Sequence, residues 1–350
     1  MKKLITGGSA THSFKIIQGK LWAFGNNKYG QLGFPNTTGM PTDYMHPIQV
    51  GTDNNWVNAA AYGFHSQGLK SDGTLWAWGR NSKGQLGDGT ITQRYAPVQI
   101  GADNKWIEIS IGETHSIGLT SYGTIWTWGQ NDKCQLGNGL ASDIHTPTQM
   151  GNDSDWISIA AGSYHNLALK SDGSLWAWGY NNYKQIGNNL LTPQGTPVRI
   201  GMSNDWTKIA AGWLQSHALK SDGTLWSWGS KLASNNLTQG TPIQITTGTG
   251  TDNSWVSIAA GYGHFLGLKS DGTIWTYGSN DKGQLGDGTT AKKTIPVQII
   301  GDNNWVGISA GHKYCLASKS NGDLYSWGDN PHGQLGDGST SPRTTPGLIL

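Results

Sequence analysis

The chain has 350 residues, and it is rich in glycine (52) and tryptophan (18) while only 13% of its residues are charged. This composition argues against helical domains and favours short strands joined by tight turns. The formal net charge of +2 excludes a strong attraction to nucleic acid or to an anionic membrane, and no apolar stretch is long enough to cross a bilayer. We therefore expect neither nucleic acid nor a membrane as a partner.

The N-terminus and the cysteines indicate the compartment. Residues 1–5 are basic at their start but are followed by Thr-Gly-Gly and not by an apolar segment, so they do not form a secretory signal. The two cysteines, Cys134 and Cys315, fall in different repeats of the chain, which argues against a disulfide between them. The sequence thus predicts a cytoplasmic protein in a reducing compartment.

A Leu-Trp-x-Trp-Gly pattern recurs through the whole chain about every fifty residues. Its glycine stands at positions 25, 79, 129, 179, 229, 278 and 328. Of the 18 tryptophans, all but Trp213 keep register with this repeat. A repeat of this length is typical of propellers and solenoids, and it is too long for a β-solenoid.

Each repeat predicts four strands in chain order. In the fourth copy these are residues 147–150, 156–160, 165–170 and 175–179. An Asn-rich turn, a Gly-x-x-His turn and a Ser-Asp-Gly hairpin join them, and a long connection over residues 180–196 follows. We expect these strands to form one antiparallel blade in that order, with the long connection crossing to the next blade.

Such a sheet carries large aromatic side chains on its faces and cannot bury both of them alone. Closing the sheets into a ring buries the faces and hides the sheet edges. The sequence therefore predicts an all-β, seven-bladed β-propeller of four-stranded antiparallel blades, as a single domain over residues 1–350. We expect the ring to be closed by pairing of the N- and C-terminal strands, with residues 346–350 completing the N-terminal blade.

The long connection carries a second repeated motif, Gly-Gln-Leu-Gly. It stands at residues 30–33, 84–87, 283–286 and 333–336, with variants at 134–137 and 184–187. We expect its apolar residue to wedge between adjacent blades, while its glycines allow close turns. The fifth copy has the unrelated residues 230–237 instead, which predicts an irregular blade junction there.

Two motifs carry a family resemblance: Trp-Gly-x-Asn-x-x-Gly-Gln-Leu-Gly, as at residues 78–87, and Ala-Gly-x-x-His, as at 161–165. Together they resemble the regulator of chromosome condensation repeat family, over essentially the whole chain. The resemblance implies a seven-bladed propeller. It leaves function open, because relatives include an exchange factor for the Ran GTPase, a plant ultraviolet-B receptor and a secreted bacterial β-lactamase inhibitor.

The recurring histidine of the Gly-x-x-His turn raises a metal site as a hypothesis. The residues concerned are His12, His65, His115, His165 and His264. Residues repeated around a ring lie too far apart to share one ion through bonds of ~2 Å. We therefore expect no metal and no cofactor, and expect each histidine to bond a backbone group at its own turn.

The carboxylates that could be catalytic residues have a structural role that accounts for their repetition. The carboxylates of the Ser-Asp-Gly turns match hairpin chemistry, and no phosphate-binding loop, calcium loop or nucleophile motif is recognisable. We expect no catalytic residue.

Variation between the repeats points to a binding surface. In an antiparallel meander, the Gly-x-x-His turns and the long connections open on one rim, and the other two sets of turns open on the opposite rim. The first rim differs between copies and is rich in aromatic residues and arginine, which supply interface hot spots. The predicted partner-binding residues are Phe64, Glu113, Tyr164, Trp213, Leu214, Tyr262, His312 and Lys313. We expect Trp213 to contribute most, because every other tryptophan has a place imposed by the repeat.

These observations favour a non-enzymatic protein–protein interaction platform, monomeric because a closed ring leaves no sheet edge to pair. Guanine-nucleotide exchange on a small GTPase is an alternative, although residues 34–46 and 246–254 are short for the inserted wedge that such relatives use. Inhibition of an enzyme such as a β-lactamase is a second alternative, which would need a secretion leader. A light receptor is not expected, since its Gly-Trp-Arg-His-Thr signature is reduced to Gly-Trp-Leu-Gln-Ser at residues 212–216.

Overall fold

The computed structural model describes residues 2–5, 10–35, 42–102, 105–230, 238–248, 252–301 and 303–349. These residues form 28 strands, arranged as seven four-stranded antiparallel sheets. No segment among them is a helix that could cross a membrane. The all-β, seven-bladed architecture predicted from the repeat is confirmed.

Each blade uses four consecutive strands. Blade 1 is β1 (Lys2–Ile5), β2 (His12–Ile17), β3 (Lys20–Asn26) and β4 (Asp43–Gln49). Blade 2 is β5 (Trp56–Tyr62), β6 (His65–Lys70), β7 (Leu75–Gly79) and β8 (Arg94–Gln99). Blade 3 is β9 (Trp106–Ile111), β10 (His115–Thr120), β11 (Ile125–Gly129) and β12 (Ile144–Gln149). Blade 4 is β13 (Trp156–Ala161), β14 (His165–Lys170), β15 (Leu175–Gly179) and β16 (Gln194–Arg199).

The remaining blades repeat this arrangement. Blade 5 is β17 (Trp206–Ala211), β18 (Gln215–Lys220), β19 (Leu225–Gly229) and β20 (Gln239–Ile245). Blade 6 is β21 (Trp255–Ala260), β22 (His264–Lys269), β23 (Ile274–Gly278) and β24 (Lys293–Gln298). Blade 7 is β25 (Trp305–Ala310), β26 (Tyr314–Lys319), β27 (Leu324–Gly328) and β28 (Arg343–Leu348).

The order of strands within a blade differs from the expectation. The strand that opens with tryptophan is innermost, since the first strands of neighbouring blades contact one another. The proline-containing strand is outermost and pairs with the Leu-Trp-x-Trp-Gly strand, as Ala177 does with Val198. The Asn-rich turn therefore crosses between blades, while the long connection stays within one. An outer edge suits proline, which has no N–H for a further strand.

Closure of the ring by strand pairing, expected for residues 346–350, is wrong. Strand β28 pairs with β27 of its own blade, and all four strands of blade 1 come from the N-terminal part of the chain. Blade 1 begins with the inner strand β1 and blade 7 ends with the outer strand β28, so each of the seven blades uses four consecutive strands. Side-chain packing closes the last junction instead, with Phe24 of blade 1 against Tyr314 and Leu335 of blade 7.

Aromatic and aliphatic side chains fill the junctions between blades. Leu86 of the blade 2 loop packs with Trp106 and Trp128 of blade 3, and Ile186 of the blade 4 loop packs with Trp228 of blade 5. The prediction that the apolar residue of the Gly-Gln-Leu-Gly motif wedges between blades is confirmed. Each such burial contributes about 1.5–3 kcal/mol.

A ring of polar contacts runs through the same junctions, and we call it the junction belt. Its contacts are His12 with Ser66 (2.7 Å), His65 with Ser116 (3.3 Å), His115 with Asn166 (2.9 Å), His165 with Ser216 (2.9 Å), Gln215 with Gly261 O (2.9 Å), His264 with Cys315 (3.2 Å) and Tyr314 with His12 O (2.7 Å). Each joins one blade to the next. The histidines therefore bond to the following blade. The expectation that each would bond a backbone group of its own turn is wrong.

The belt also fixes the loops. Ser216 Oγ donates to the carbonyl of Gln185 in the preceding blade (2.7 Å), so His165 Nε2 must be the donor to that serine. Trp228 Nε1 donates to the same Gln185 carbonyl (2.9 Å). One loop carbonyl thus accepts two hydrogen bonds from the next blade, which holds the Gly-Gln-Leu-Gly loop against it.

The junction between blades 5 and 6 is built differently, as expected from the missing motif, although residues 231–237 lie outside the described residues. Blade 6 has Phe265 and Tyr277 where each of its neighbours has two side chains that donate hydrogen bonds to the glutamine carbonyl of the preceding loop. Their rings lie 4.9 Å apart, and Phe265 lies 4.8 Å from the ring of His217. The fifth copy lacks the Gly-Gln-Leu-Gly motif and so has no glutamine carbonyl to accept these two hydrogen bonds. An aromatic cluster takes their place.

Acid should destabilise the fold well before the carboxylates titrate. Burial lowers the pKa of His12, His65, His165 and His264 to about 3 and that of His115 to about 4. Because the unfolded chain binds protons near pH 6.5 and the folded chain does not, stability is lost as pH falls below about 6.5. Each such histidine contributes up to about 1.4 kcal/mol per pH unit. We expect urea unfolding to show a steep fall in the free energy of unfolding between pH 7 and 5.

A single substitution tests whether the buried histidines cause this loss of stability at acid pH. Gln215 already occupies the histidine position in blade 5, so His165→Gln should fold and should show a pH slope shallower by about one proton. An unchanged slope in this variant, or a flat profile in the unaltered protein, would contradict the assignment.

Candidate functional site

The variable turns and the long connections share one rim of the propeller. In blade 4, Tyr180 N at the start of the long connection donates to Tyr164 O in the Gly-x-x-His turn (2.8 Å). In blade 2, Arg80 N donates to Phe64 O in the same way (2.9 Å). The corrected strand order leaves this assignment intact, because alternate turns of an antiparallel meander lie on the same side in either case.

Side chains from all seven blades meet at the centre of this rim. They line a cavity of about 310 Å³, which we call the axial cup. Its residues are Thr11, Phe64, Glu113, Tyr164, Trp213, Tyr262 and His312. Each comes from the turn between the first and second strands of its blade. The structure thus brings together six of the eight residues that variation between repeats had singled out.

Backbone hydrogen bonds between neighbouring turns hold the wall of the cup. Glu113 N donates to Ser163 O (3.1 Å), Trp213 N to Gly261 O (3.3 Å), and Tyr262 N to His312 O (3.2 Å). These bonds use no side-chain atom. The turns can therefore keep their positions whichever side chain they present, which explains why the residues of the cup differ from blade to blade.

The aromatic part of the cup is contiguous. The rings of Trp213 and Tyr262 stack with centroids 4.1 Å apart and planes 15° from parallel. Tyr262 in turn makes an edge contact with His312 at 4.5 Å. Three rings from three consecutive blades form one half-buried surface, so the cup presents a preformed apolar and polarizable wall.

Glu113 is the one carboxylate among the residues of the cup. Burial and the nearby Glu113 raise the pKa of Tyr164. Burial also raises the pKa of Tyr262, where Lys313 opposes the shift and Glu113 adds to it. Burial and Lys313 lower the pKa of His312. At neutral pH the phenols and the imidazole are uncharged, and the formal charge of the lining is negative.

Two of the predicted residues lie elsewhere. Leu214 is only 3% exposed, so it lies beneath the rim and not on its surface, in contrast to the expectation. Its neighbour Trp213 takes the outward position of the turn. Lys313 is paired with Asp281 through a 2.7 Å contact beside the cup. Neither residue is among those that line the cavity.

The structure adds one residue to the cup that sequence variation did not single out. Thr11 completes the cup, and its only sequence signal is the register of Ala-Thr-His at residues 10–12 with the other turns. Around the cup, Tyr29 contacts Phe64 with ring centroids 5.0 Å apart, and Tyr180 contacts Tyr164 at 6.3 Å. Aromatic side chains of the long connections thus extend the surface outward.

The opposite rim has the regular chemistry of hairpins. In blade 5, Asp222 Oδ1 accepts hydrogen bonds from Thr224 N (3.0 Å) and Thr224 Oγ1 (2.7 Å). These bonds lower the pKa of Asp222, and Thr224 Oγ1 accepts a further bond from Trp226 Nε1 (2.9 Å). The interpretation of these carboxylates as turn formers is confirmed.

The cysteines and the possible metal ligands can also be located in the structure. Both cysteines are free, and Cys315 is buried in the junction belt. Across the described ranges, no three His, Cys, Asp or Glu side chains are grouped so that they could hold a metal ion.

Family models match nearly the whole chain. The model of the RCC1-like domain matches residues 2–238. The model of the regulator of chromosome condensation (RCC1) repeat matches residues 271–318 and 321–350.

Individual relatives match shorter stretches. The chain is 34% identical to human protein RCC2 over 93 residues, which is 26% of this chain and 17% of that protein. It is 33% identical to the ultraviolet-B receptor UVR8 of Arabidopsis thaliana over 92 residues, which is 26% of this chain and 20% of the receptor. The chain therefore matches at most about a fifth of the length of these curated relatives.

Solved propellers match over most of their length. Human WBSCR16 superposes with a TM-score of 0.82 at 22% identity, covering 91% of this chain and 87% of that one. Yeast RCC1 (Prp20), solved bound to Kap60, superposes with a TM-score of 0.84 at 22% identity, covering 96% and 84%. At 22% identity, this similarity is evidence for a shared fold and not for a shared function.

Substitutions at the neighbouring residues Trp213 and Leu214 should differ in their cost to stability, because only Leu214 is buried beneath the rim. Leu214→Ala should lower the free energy of unfolding by about 2–5 kcal/mol, because it leaves a cavity under the rim. Trp213→Ala should cost only about 0.5–1.5 kcal/mol, the contribution of an aromatic pair, since backbone bonds hold its turn. Urea unfolding at pH 7 measures both values. Equal losses for the two variants would contradict the surface assignment of Trp213.

Proposed function

The chain belongs to the RCC1-like β-propeller family, and from this premise we propose that it is a non-catalytic platform on which a protein partner docks. The docking surface is the rim formed by the Gly-x-x-His turns and the long connections, with the axial cup at its centre. The observation that carries the proposal is that one variable side chain from each of the seven blades lines a single half-buried cavity.

The composition of the rim supports protein binding. Interface hot spots are rich in tryptophan, tyrosine and arginine, set in partly desolvated positions near the centre of the contact. Trp213, Tyr262 and Tyr164 occupy such positions in the cup. Farther out, Tyr183 is 42% exposed and Tyr29 lies 5.4 Å from the guanidinium of Arg80. These residues surround the cup with further contact area.

The role of the histidines supports a function without catalysis. Histidine is the most frequent acid–base residue of enzymes. Here His12, His65, His115, His165 and His264 are fully buried and bonded between blades. These five histidines of the junction belt serve the ring and cannot reach a substrate on the rim, whereas His312 lines the cup and is not part of the belt.

The relatives are consistent with this class of function. Yeast Prp20 has been solved with Kap60 and characterised for binding to Gsp1p and histones. Protein partners are thus known for a propeller of the same fold. Exchange of nucleotide on a small GTPase is the alternative that this likeness raises, and it can be measured directly.

Affinity capture tests the rim assignment. The triple variant Phe64→Ala/Tyr164→Ala/Trp213→Ala should lose at least one partner that the unaltered protein recovers from its native lysate. Tyr122→Ala/Met202→Ala is the matched control, because Tyr122 and Met202 are 68% and 85% exposed on the opposite rim. The control should recover the partner normally. Equal recovery by all three proteins would overturn the proposal.

The purified partner then allows a quantitative measurement. Trp213→Ala should raise the Kd by about 30-fold or more, since loss of a hot-spot side chain costs about 2 kcal/mol. Calorimetry measures this change, and the folding of the variant is checked by urea unfolding.

The alternatives predict a different outcome. An exchange factor would accelerate nucleotide release from a small GTPase, and an inhibitor would reduce the turnover of a β-lactamase. We expect neither effect at micromolar protein. Either result would replace the general platform by that specific activity.

A further inference from the structure

The axial cup has the chemistry of a site for an organic cation. Of the seven residues that line it, Phe64, Tyr164, Trp213 and Tyr262 are aromatic, Glu113 is acidic, and none is lysine or arginine. Aromatic faces attract cations through their quadrupole, and a carboxylate adds the opposite formal charge. This combination favours a group that is positively charged and partly apolar over an anion.

The charges around the cup support the same choice. Lys133 pairs with Asp132 at 2.9 Å and Lys313 pairs with Asp281 at 2.7 Å, so these two rim lysines are matched by carboxylates. His312, which lines the cup, is neutral at pH 7 because burial lowers its pKa. The lining itself contributes one negative charge, that of Glu113.

Rings of this rim already hold cations of the chain itself. The ammonium of Lys133 lies 5.2 Å from the centroid of the Tyr164 ring. The guanidinium of Arg80 lies 5.4 Å from the ring of Tyr29, which in turn contacts Phe64. Both distances fall within the ~6 Å range of a cation–π contact. The ammonium of Lys28 also lies 5.5 Å from the Tyr29 ring, so an incoming cation would use a kind of contact that the rim already makes.

The size and position of the cup favour a side chain of a protein over a free small molecule. A volume of about 310 Å³ has room for one long side chain. The cup opens at the centre of a broad rim that carries Tyr29, Tyr180 and Tyr183. A protein that inserts one residue into the cup can rest its surroundings on these rings.

We propose that the axial cup receives one basic side chain, lysine or arginine, of the protein partner, with its charged group between the aromatic rings and the Glu113 carboxylate. This inference rests on the proposed function, because it names the group by which a partner on the same rim is anchored.

Titration with single amino-acid amides tests the inference. The indole N–H signal of Trp213 in ¹⁵N-tryptophan-labelled protein is assigned with Trp213→Phe. Nα-acetyl-lysine amide and Nα-acetyl-arginine amide should shift this signal saturably. The amide that binds with the lower Kd identifies the preferred side chain. N-acetyl-norleucine amide has the apolar stem without the charge and should bind at least about tenfold more weakly. Equal binding of norleucine, or no shift with either cation, would overturn the inference.

Two variants locate the effect. Glu113→Gln keeps the shape of the side chain and should weaken binding of the cationic amides about tenfold, equivalent to about 1.4 kcal/mol. Tyr122→Ala, on the opposite rim, should leave it unchanged. Urea unfolding confirms that both variants are folded. Undiminished binding by Glu113→Gln would show that the carboxylate has no part and would overturn the inference.

Failure of this inference differs from failure of the proposed function. If partner capture depends on the rim but the amides do not bind, the anchor is wrong and the docking surface stands. If capture does not depend on the rim, the docking surface is wrong whatever the amides do.

Discussion

The junction belt is the contact on which the rest of the molecule depends. A buried imidazole in each of five blades needs a hydrogen-bond partner, and that partner lies in the next blade. Burying these groups between blades without such a partner would cost about 1–3 kcal/mol each. Ring closure gives the Nε2 atom of each of these imidazoles its partner. At the last junction Tyr314 replaces histidine and reaches both His12 O and Ser13 Oγ of blade 1, at 2.7 and 2.8 Å.

The belt explains how this propeller can close without a shared blade. Strand β28 stays in blade 7, so no strand pairing joins blades 7 and 1 among the described residues. Tyr314 bonds across the junction, and Phe24, Leu335 and Ile349 pack into the same place. The junction between the ends is therefore held by the same kinds of contact as the junctions along the chain.

The same design separates structure from recognition. Bonds that hold the blades together come from the interior and from the backbone of the turns. Side chains at the tips of those turns are then free to differ, and here they form a cup with aromatic rings and one carboxylate. The junction of blades 5 and 6 shows how far the interior can also adapt, since Phe265 and Tyr277 replace two hydrogen-bond donors where the preceding loop has no glutamine.

The sequence by itself determined the number of blades, the four strands of each and the two rims, because a fifty-residue period with turn-forming residues leaves few other ways to bury so many tryptophans. It also pointed to six residues of the cup. It did not determine which strand lies innermost, since an antiparallel meander has nearly the same local pairs whichever strand begins the blade. The short alanine runs of the innermost strands, as at residues 59–61, were a signal for their crowded position near the axis. Only the closed ring decided that Leu214 is buried while Trp213 faces the cup, and that histidines bond to the following blade. Contacts between residues some fifty or more positions apart depend on how the blades pack against one another, and no local pattern carries that information.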